Sequence, residues 1–460
     1  MSDPHIIKFR DRLDNISPSF CVAKWQQVTL HLQTGHTHSC HHPRTHKIPL
    51  EELAIDPSAL HNTNYKKLQR KDMLEGKRPT ECDYCWRIED SSPDALSDRT
   101  YKSYEEWAEP HITKIQNMPW NQNVVPSYLE VSFSNVCNFK CSYCSPQVSS
   151  KWMEEIDRFG PYPTSNRFGN IEWLNQTNAM PIPHKDENPY VDAFWKWWPS
   201  IYTELQNFRI TGGEPLMTKD TFRILDYVIE NPNPRLDLAI NSNMCVPEAL
   251  FEKFIEKIKI ICSENKVKHF RIFTSADTYG KQAEYIRNGL DYNKWLSNIR
   301  RVLDEVPECT FTIMSTYNAL SVFQYENFLK DVLEIKLAYI KPNMQHSPLM
   351  IDVPYLRHPE HQSVFILPKK LRKNMKAQVD FMYNNLQTPK TPWMGFFDFE
   401  ADKFRRIYDM VNEQQDSEVV TIHQMDFIRF VDEHDRRRGT DFLATFPELE
   451  EFYTTIKNKI

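Results

Sequence analysis

Six short β-rich runs, at residues 128–134, 208–211, 236–242, 270–275, 311–315 and 338–342, each end in polar or glycine residues. Between them lie stretches with apolar residues at helical spacing, among them 221–230, 247–260, 293–306 and 322–335. This alternation constrains the fold more than any motif does. Parallel neighbours need a crossover long enough to hold a helix, so strand–helix repetition predicts a parallel sheet. Six units predict an α/β fold built on a partial (β/α)6 TIM-like barrel, where chemistry collects at the C-terminal ends of the strands. The chemically distinctive residues fall at those ends: Cys137 after the first strand, Gly212 and Gly213 after the second, Ser242 and Asn243 after the third, and Ser275 and Asp277 after the fourth.

The first of these ends carries CNFKCSYC, residues 137–144, which spends three of the ten cysteines on one C-x3-C-x2-C loop. Thiolates ligate iron readily, and a four-iron cubane needs four ligands, so three cysteines leave one iron open to an external ligand. A zinc knuckle with a distant fourth ligand, or three unrelated core cysteines, are the other readings of this spacing. The N-terminus, MSDPHIIKFRDRLDN, is charged and lacks an apolar signal region, and no apolar run nears the ~18 residues of a membrane span. A cytoplasmic, reducing compartment is therefore expected, where clustered cysteines read as metal ligands rather than disulfides. A net charge of −6, well mixed along the chain, argues against a broad nucleic-acid footprint.

With the aromatic Tyr143 before its third cysteine, CNFKCSYC resembles the cluster loop of the radical S-adenosylmethionine (SAM) superfamily. The resemblance implies that Cys137, Cys141 and Cys144 hold a four-iron cluster whose open iron is chelated by SAM. One electron, from an external donor such as flavodoxin or ferredoxin, then cleaves SAM to methionine and a 5′-deoxyadenosyl radical that abstracts a substrate hydrogen. Gly212, Gly213, Glu214 and Pro215 resemble the family's GGEP segment, whose backbone receives the SAM ammonium. By the same resemblance Ser242, Asn243, Ser275 and Asp277 are placed for ribose or carboxylate contacts and Asn318 for adenosine. Arg287 resembles the arginine that pairs with the SAM carboxylate.

A second cysteine set precedes the first strand–helix unit. Cys21, Gly35 and Cys40 follow a C-x13-G-x4-C spacing, and Cys82 and Cys85 form a C-x2-C knuckle after a helical stretch at 65–75. Four cysteines imply one metal centre, and on spacing alone zinc fits it. The segment also resembles the SPASM and twitch auxiliary modules of radical SAM enzymes, although those modules follow the barrel and this one precedes it. Resemblance implies a second four-iron cluster, fully ligated by Cys21, Cys40, Cys82 and Cys85, suited to electron transfer or a structural role. His36, His38, His41 and His42 flank Cys40 as surrounding groups, and an imidazolium there is expected to raise the potential of that cluster.

The expected division is a twitch-like module over 1–120, the barrel over 121–345 with a long loop at 145–192, and a mainly helical extension over 346–460. The aromatic run FWKWWP reads as the packing face of a helix, and Cys262 and Cys309 read as inert core thiols, while Cys245 lies close to the active face. Enzymes of this build often modify a peptide or protein, which is the leading expectation for the substrate; a small molecule or nucleotide is the alternative, and a non-catalytic metal-binding interaction protein a distant one.

Overall fold

A computed structural model describes residues 4–340 and 347–460. In chain order the strands are β1 (Gln27–His31), β2 (His36–His38), β3 (His46–Lys47), β4 (Tyr128–Ser132), β5 (Lys140–Cys141), β6 (Asn207–Thr211), β7 (Asn233–Asn241), β8 (Val267–Thr274), β9 (Arg287–Asn288), β10 (Thr310–Met314) and β11 (Leu349–Asp352). The helices that matter for the site are α1 (Asn64–Leu74), α2 (Ser150–Phe159), α3 (Pro189–Ile201), α4 (Lys219–Glu230), α5 (Glu248–Ser263), α6 (Tyr292–Glu305), α7 (Tyr325–Ala338), α8 (Asp398–Glu413) and α9 (Thr421–Arg438).

The chain forms two compact units, the first from residues 1–134, 177–212 and 232–239 and the second from 135–176, 213–231 and 240–460. In the first, β4 pairs in parallel with β1 on one side (Gln27↔Tyr128 to His31↔Ser132) and with β6 on the other (Tyr128↔Asn207 to Ser132↔Thr211). The shared register brings Ser132 and Thr211 level at the C-terminal ends of β4 and β6. Asp237 N donates to Gln206 O at 2.7 Å where β7 joins. Beyond β1, β2 and β3 pair antiparallel, the turn from β1 into β2 passing through Gly35 at φ +64. Leu129, Val131, Phe208, Ile210, Leu236 and Leu238 alternate into the core, the period-2 pattern of a sheet face. The FWKWWP residues Phe194, Trp197 and Trp198 are buried on α3, as the sequence predicts.

The second unit receives the end of β7, where Ser242 N donates to Phe273 O at 2.8 Å. Strands β8, β10 and β11 pair in parallel there. Side-chain caps start its helices: Thr218 accepts from Thr221 N at α4, Asp291 from Lys294 N at α6, and Ser149 from Trp152 N at α2. The six strand–helix units are present and the fold is the expected TIM-like α/β class, with no closed barrel among the described residues.

The sixth strand is displaced from its expected place. Ala338 ends α7 instead of opening a strand, because Leu329, Val332 and Ile335 carry the apolar helical face onward; Lys341 and Pro342 lie outside the described residues. The strand is β11, fixed by a fully buried ion pair: Lys336 Nζ lies 2.9 Å from Glu400 Oε2, and Glu400 Oε1 accepts from Ile351 N at 2.7 Å. The extension is mainly helical as expected, with helices at Lys369–Arg372 and Met375–Asn384 before α8 and α9. No described helix is long and apolar enough to cross a membrane.

Candidate active site

The cysteine loop is gripped by its backbone. Four consecutive carbonyls accept hydrogen bonds from side chains: Phe139 O from Ser149 Oγ (2.8 Å), Lys140 O from Arg438 Nη1 (2.5 Å), Cys141 O from Trp152 Nε1 (2.8 Å) and Ser142 O from Gln362 Nε2 (3.1 Å). Cys137 N donates to Ser150 Oγ at 3.1 Å. The three thiols feel one another's charge, Cys141 acting on both Cys137 and Cys144. Burial pushes Cys144 up to about 12 and raises Cys137 and Cys141 as well. As thiols they are inert; bound iron would supply the positive charge that holds them as thiolates.

Gly213 is the cradle. A Cβ there would lie 2.3 Å from Val136 O and 2.7 Å from Asn135 O, so only glycine lets the GGEP backbone rest on the cysteine loop. Glu214 N donates to Val136 O at 2.7 Å. The Glu214 carboxylate is buried and accepts from Ser242 Oγ (2.9 Å), Asn243 N (2.7 Å) and Leu216 N (3.1 Å). Burial pushes it up to about 7 against these donors. Asn243 Nδ2 donates to Asn138 Oδ1 (2.7 Å), and Asn138 Nδ2 to Cys245 O (2.9 Å), so the second and third strand ends are tied to the cysteine loop. Pro215 is buried at the start of a short 3-10 turn.

Arg287 and Asp277 meet in the same unit. Arg287 Nη2 donates to Asp277 Oδ1 (2.9 Å) and Tyr143 Oη (2.6 Å), Nη1 to Cys141 Sγ (3.7 Å), and Tyr143 Oη in turn to Asp277 Oδ2 (2.8 Å). Arg287 Nε lies 2.9 Å from Asp277 Oδ2 but donates to no acceptor, which leaves a buried N–H without a hydrogen bond. Asp277, fully buried, also accepts from Thr316 N at 2.9 Å. Ser275 is half-buried at the end of β8. Asn318 uses its amide within its own turn, Nδ2 donating to Thr316 O and Oδ1 accepting from Leu320 N. Directly after Cys144, a cavity of about 670 Å³ is walled by Ser145, Gln147, Arg167, Phe168, Asn170 and Trp173.

In the first unit, Cys21, Cys40, Cys82 and Cys85 line one small cavity with Lys24, Met73 and Trp86. Burial pushes Cys82 and Cys85 up to about 12. Three basic side chains are buried nearby, Lys24, Lys66 and Arg70, each no more than 2% exposed, and burial with its neighbours' charge pushes Lys66 well below the usual lysine range. Lys24 pairs with Glu81, whereas Lys66 Nζ donates to Thr37 Oγ1 and Arg70 Nη1 to Asn62 Oδ1, neither of them a carboxylate. Burial disfavours the Lys24 ammonium, but Cys82, Glu81 and Cys40 outweigh it and hold the charge. A charged Lys24 lining the cavity of four cysteines fits an anionic occupant such as a tetrathiolate metal centre. Among the described residues, no three His, Cys, Asp or Glu side chains stand at the distances a single ion imposes; a cubane takes one thiolate per iron and spaces its ligands more widely.

Burial disfavours charge on His38 and His41 beside Cys40. It pushes His38 down to about 3 and His41 to about 4, and His31 Nε2 lies 3.1 Å from His38 Nε2, so the expected imidazolium is not His38 or His41; His42 Nε2 lies 2.7 Å from Asp98 Oδ2. Sequence reading also missed Ser149, Trp152, Glu155, Gln362 and Arg438. The first three had a signal, a serine cap before an amphipathic stretch ended by Gly160. Arg438, the last of three arginines at a helix end, reads as solvated and had none.

The fold and this constellation define an α/β protein with a three-cysteine loop at a strand's C-terminal end. No family model matches the chain. It is similar to proteins named GTP 3′,8-cyclase from Nautilia profundicola (27% identical over 116 residues, 25% of this chain and 27% of that one), Aliarcobacter butzleri (27% over 132 residues, 29% and 30%) and Pasteurella multocida (30% over 116 residues, 25% and 26%). The chain thus spans less than a third of the length of these relatives. Among solved structures it is similar to Streptococcus suis SuiB bound to S-adenosylmethionine, with a TM-score of 0.34 and 14% identity over 79% of this chain and 71% of that one.

Proposed function

We propose that this chain is a radical SAM enzyme in which Cys137, Cys141 and Cys144 hold a four-iron cluster and leave one iron to SAM. The observation that carries the reading is the cysteine loop held at four consecutive carbonyls, with the Gly213 backbone seated against it. When bound, cluster and SAM supply a 5′-deoxyadenosyl radical that removes a substrate hydrogen, the electron coming from an external donor such as flavodoxin or ferredoxin. The chain's own part is placement. The Gly212–Gly213 backbone receives the SAM ammonium, and the undonated Arg287 Nε, beside Asp277 and Tyr143, is a ready partner for the carboxylate. Glu214 positions Ser242 and Asn243 toward the ribose side, Ser275 lies at the adjacent strand end, and Asn318 shapes its loop.

For the substrate we favour a peptide or protein segment. The cavity beside Cys144 presents amides, hydroxyls and the rings of Phe168 and Trp173, with Arg167 the one cation among the described residues that line it. Such walls suit backbone amides and an apolar side chain better than a triphosphate, which calls for several cations. A nucleotide is the second reading, supported by the relatives named GTP 3′,8-cyclase. Cys21, Cys40, Cys82 and Cys85 are proposed to hold a second four-iron cluster; with all four irons ligated it has no vacancy for substrate and suits electron acceptance in an oxidative modification. Anaerobic reconstitution with SAM and dithionite, followed by mass spectrometry with peptide and nucleotide panels, tests the reading. Absence of 5′-deoxyadenosine from a fully iron-loaded protein would refute it.

A further inference from the structure

The cysteine loop depends on a residue nearly 300 positions away. Arg438, at the last turn of α9, is buried to 1% side-chain exposure and donates from Nη1 to Lys140 O, the carbonyl just before Cys141. Its Nε lies 3.0 Å from Glu155 Oε2 and its Nη2 3.1 Å from Glu155 Oε1, a forked pair with a carboxylate itself 2% exposed. Glu155 also accepts from Lys140 Nζ (2.8 Å) and Tyr162 Oη (2.7 Å). The guanidinium stands 5.0 Å over the ring of Trp152, whose Nε1 holds Cys141 O. The group therefore carries two cations and one anion, and the Arg438 charge reaches both Cys141 and Cys144.

We propose that Arg438 and Glu155 are positioning residues of the cluster site, which fix the loop through Lys140 O and set the cluster's reduction potential through the net positive charge they leave beside Cys141. This rests on the reading that Cys137, Cys141 and Cys144 hold a cluster. Both members are needed for the two tasks: the arginine supplies the donor and the charge, and the carboxylate fixes the arginine's orientation while cancelling part of that charge. In a dry site a fixed charge acts on an iron–sulfur centre with little screening, so removing a cation disfavours the added electron and removing an anion favours it.

The test is a redox titration of the reconstituted full chain, following the reduced-cluster EPR signal that changes when SAM is added. Arg438→Gln should move its midpoint to lower potential and Glu155→Gln to higher potential. The double variant, which restores the original net charge, should return close to wild type, and Arg438→Lys should stay closer to wild type than Arg438→Gln. A shift in the same direction in both single variants, or none in either, overturns the proposal, because lost packing alone gives no opposite signs. If Arg438→Gln does not yield folded protein, Glu155→Gln decides alone: a rise supports the proposal and an unchanged or lower midpoint overturns it. A wild-type protein with no SAM-sensitive signal would instead remove the cluster reading itself.

Discussion

Arg287 stands opposite Cys141 across the two-residue antiparallel ribbon of β5 and β9, and its Nη1 donates to the Cys141 Sγ at 3.7 Å. The ribbon brings the end of the fourth strand–helix unit onto the cysteine loop, and Ser142 N reinforces it by donating to Ile286 O at 2.7 Å. Gly289, at φ +112, makes the approach feasible, since a Cβ there would meet Phe139 Cδ1 at 2.8 Å and Asn138 O at 3.0 Å.

Arg287→Ala should therefore do more than weaken SAM binding. It strands the fully buried Asp277 carboxylate, and loss of one partner of a buried pair costs about 3–5 kcal/mol. Chemical denaturation should show the loss, and adding Asp277→Asn should recover part of it. Equal stability of the two variants would mean that the pair is not the origin.

Replacing Cys137, Cys141 and Cys144 by Ala should leave about half the iron of a chain that holds two four-iron clusters. Cys141→Ala alone should abolish 5′-deoxyadenosine in chromatographic assays with dithionite and SAM. Unchanged product from that variant would remove the loop from the mechanism.

Gly213→Ala forces the loop and the GGEP backbone apart, because the nearest atoms are carbonyl oxygens and cannot swing aside. A loss of about 1–3 kcal/mol is expected, the range for overpacking. Iron analysis should show reduced loading, and SAM titration weaker binding, with folding retained.

Glu155 carries a pH dependence. Burial pushes its carboxyl up, but the Arg438 hydrogen bond and charge, with Lys140 and Tyr162, outweigh burial and hold it at about 2, down from 4.5. A depressed carboxyl stabilises the fold above its unfolded value and loses that contribution as pH falls. The gap in stability between wild type and Glu155→Gln, about 3 kcal/mol near neutrality, should shrink as pH drops from 4.5 toward 2. Thermal melts across that range read it directly.

Replacing Cys82 and Cys85 by Ala should preserve SAM cleavage and deuterium transfer from substrate into 5′-deoxyadenosine while stopping oxidised product. Full product from that variant would reduce the second centre to a structural role. Metal analysis of wild type adds a check: stoichiometric zinc in the first unit would replace the cluster assignment there.

What the sequence alone determined was local. Alternating and helical periods placed five of the six strands, and the spacing of Cys137, Cys141 and Cys144 gathered three thiols on one loop, because side-chain period and residue spacing are properties of short segments. The GGEP glycines were legible for the same reason, being scarce and adjacent. Tertiary structure alone decided the rest. The sixth strand went to β11 because buried Glu400 and Lys336 hold it there, a pairing across 64 residues that no local period encodes. The four carbonyl clasps on the cysteine loop come from Trp152 on α2, from Ser149 that caps it, and from Gln362 and Arg438, positions that only folding brings together. His38 and His41 beside Cys40 are disfavoured as cations because burial, which the sequence does not encode locally, sets their charge.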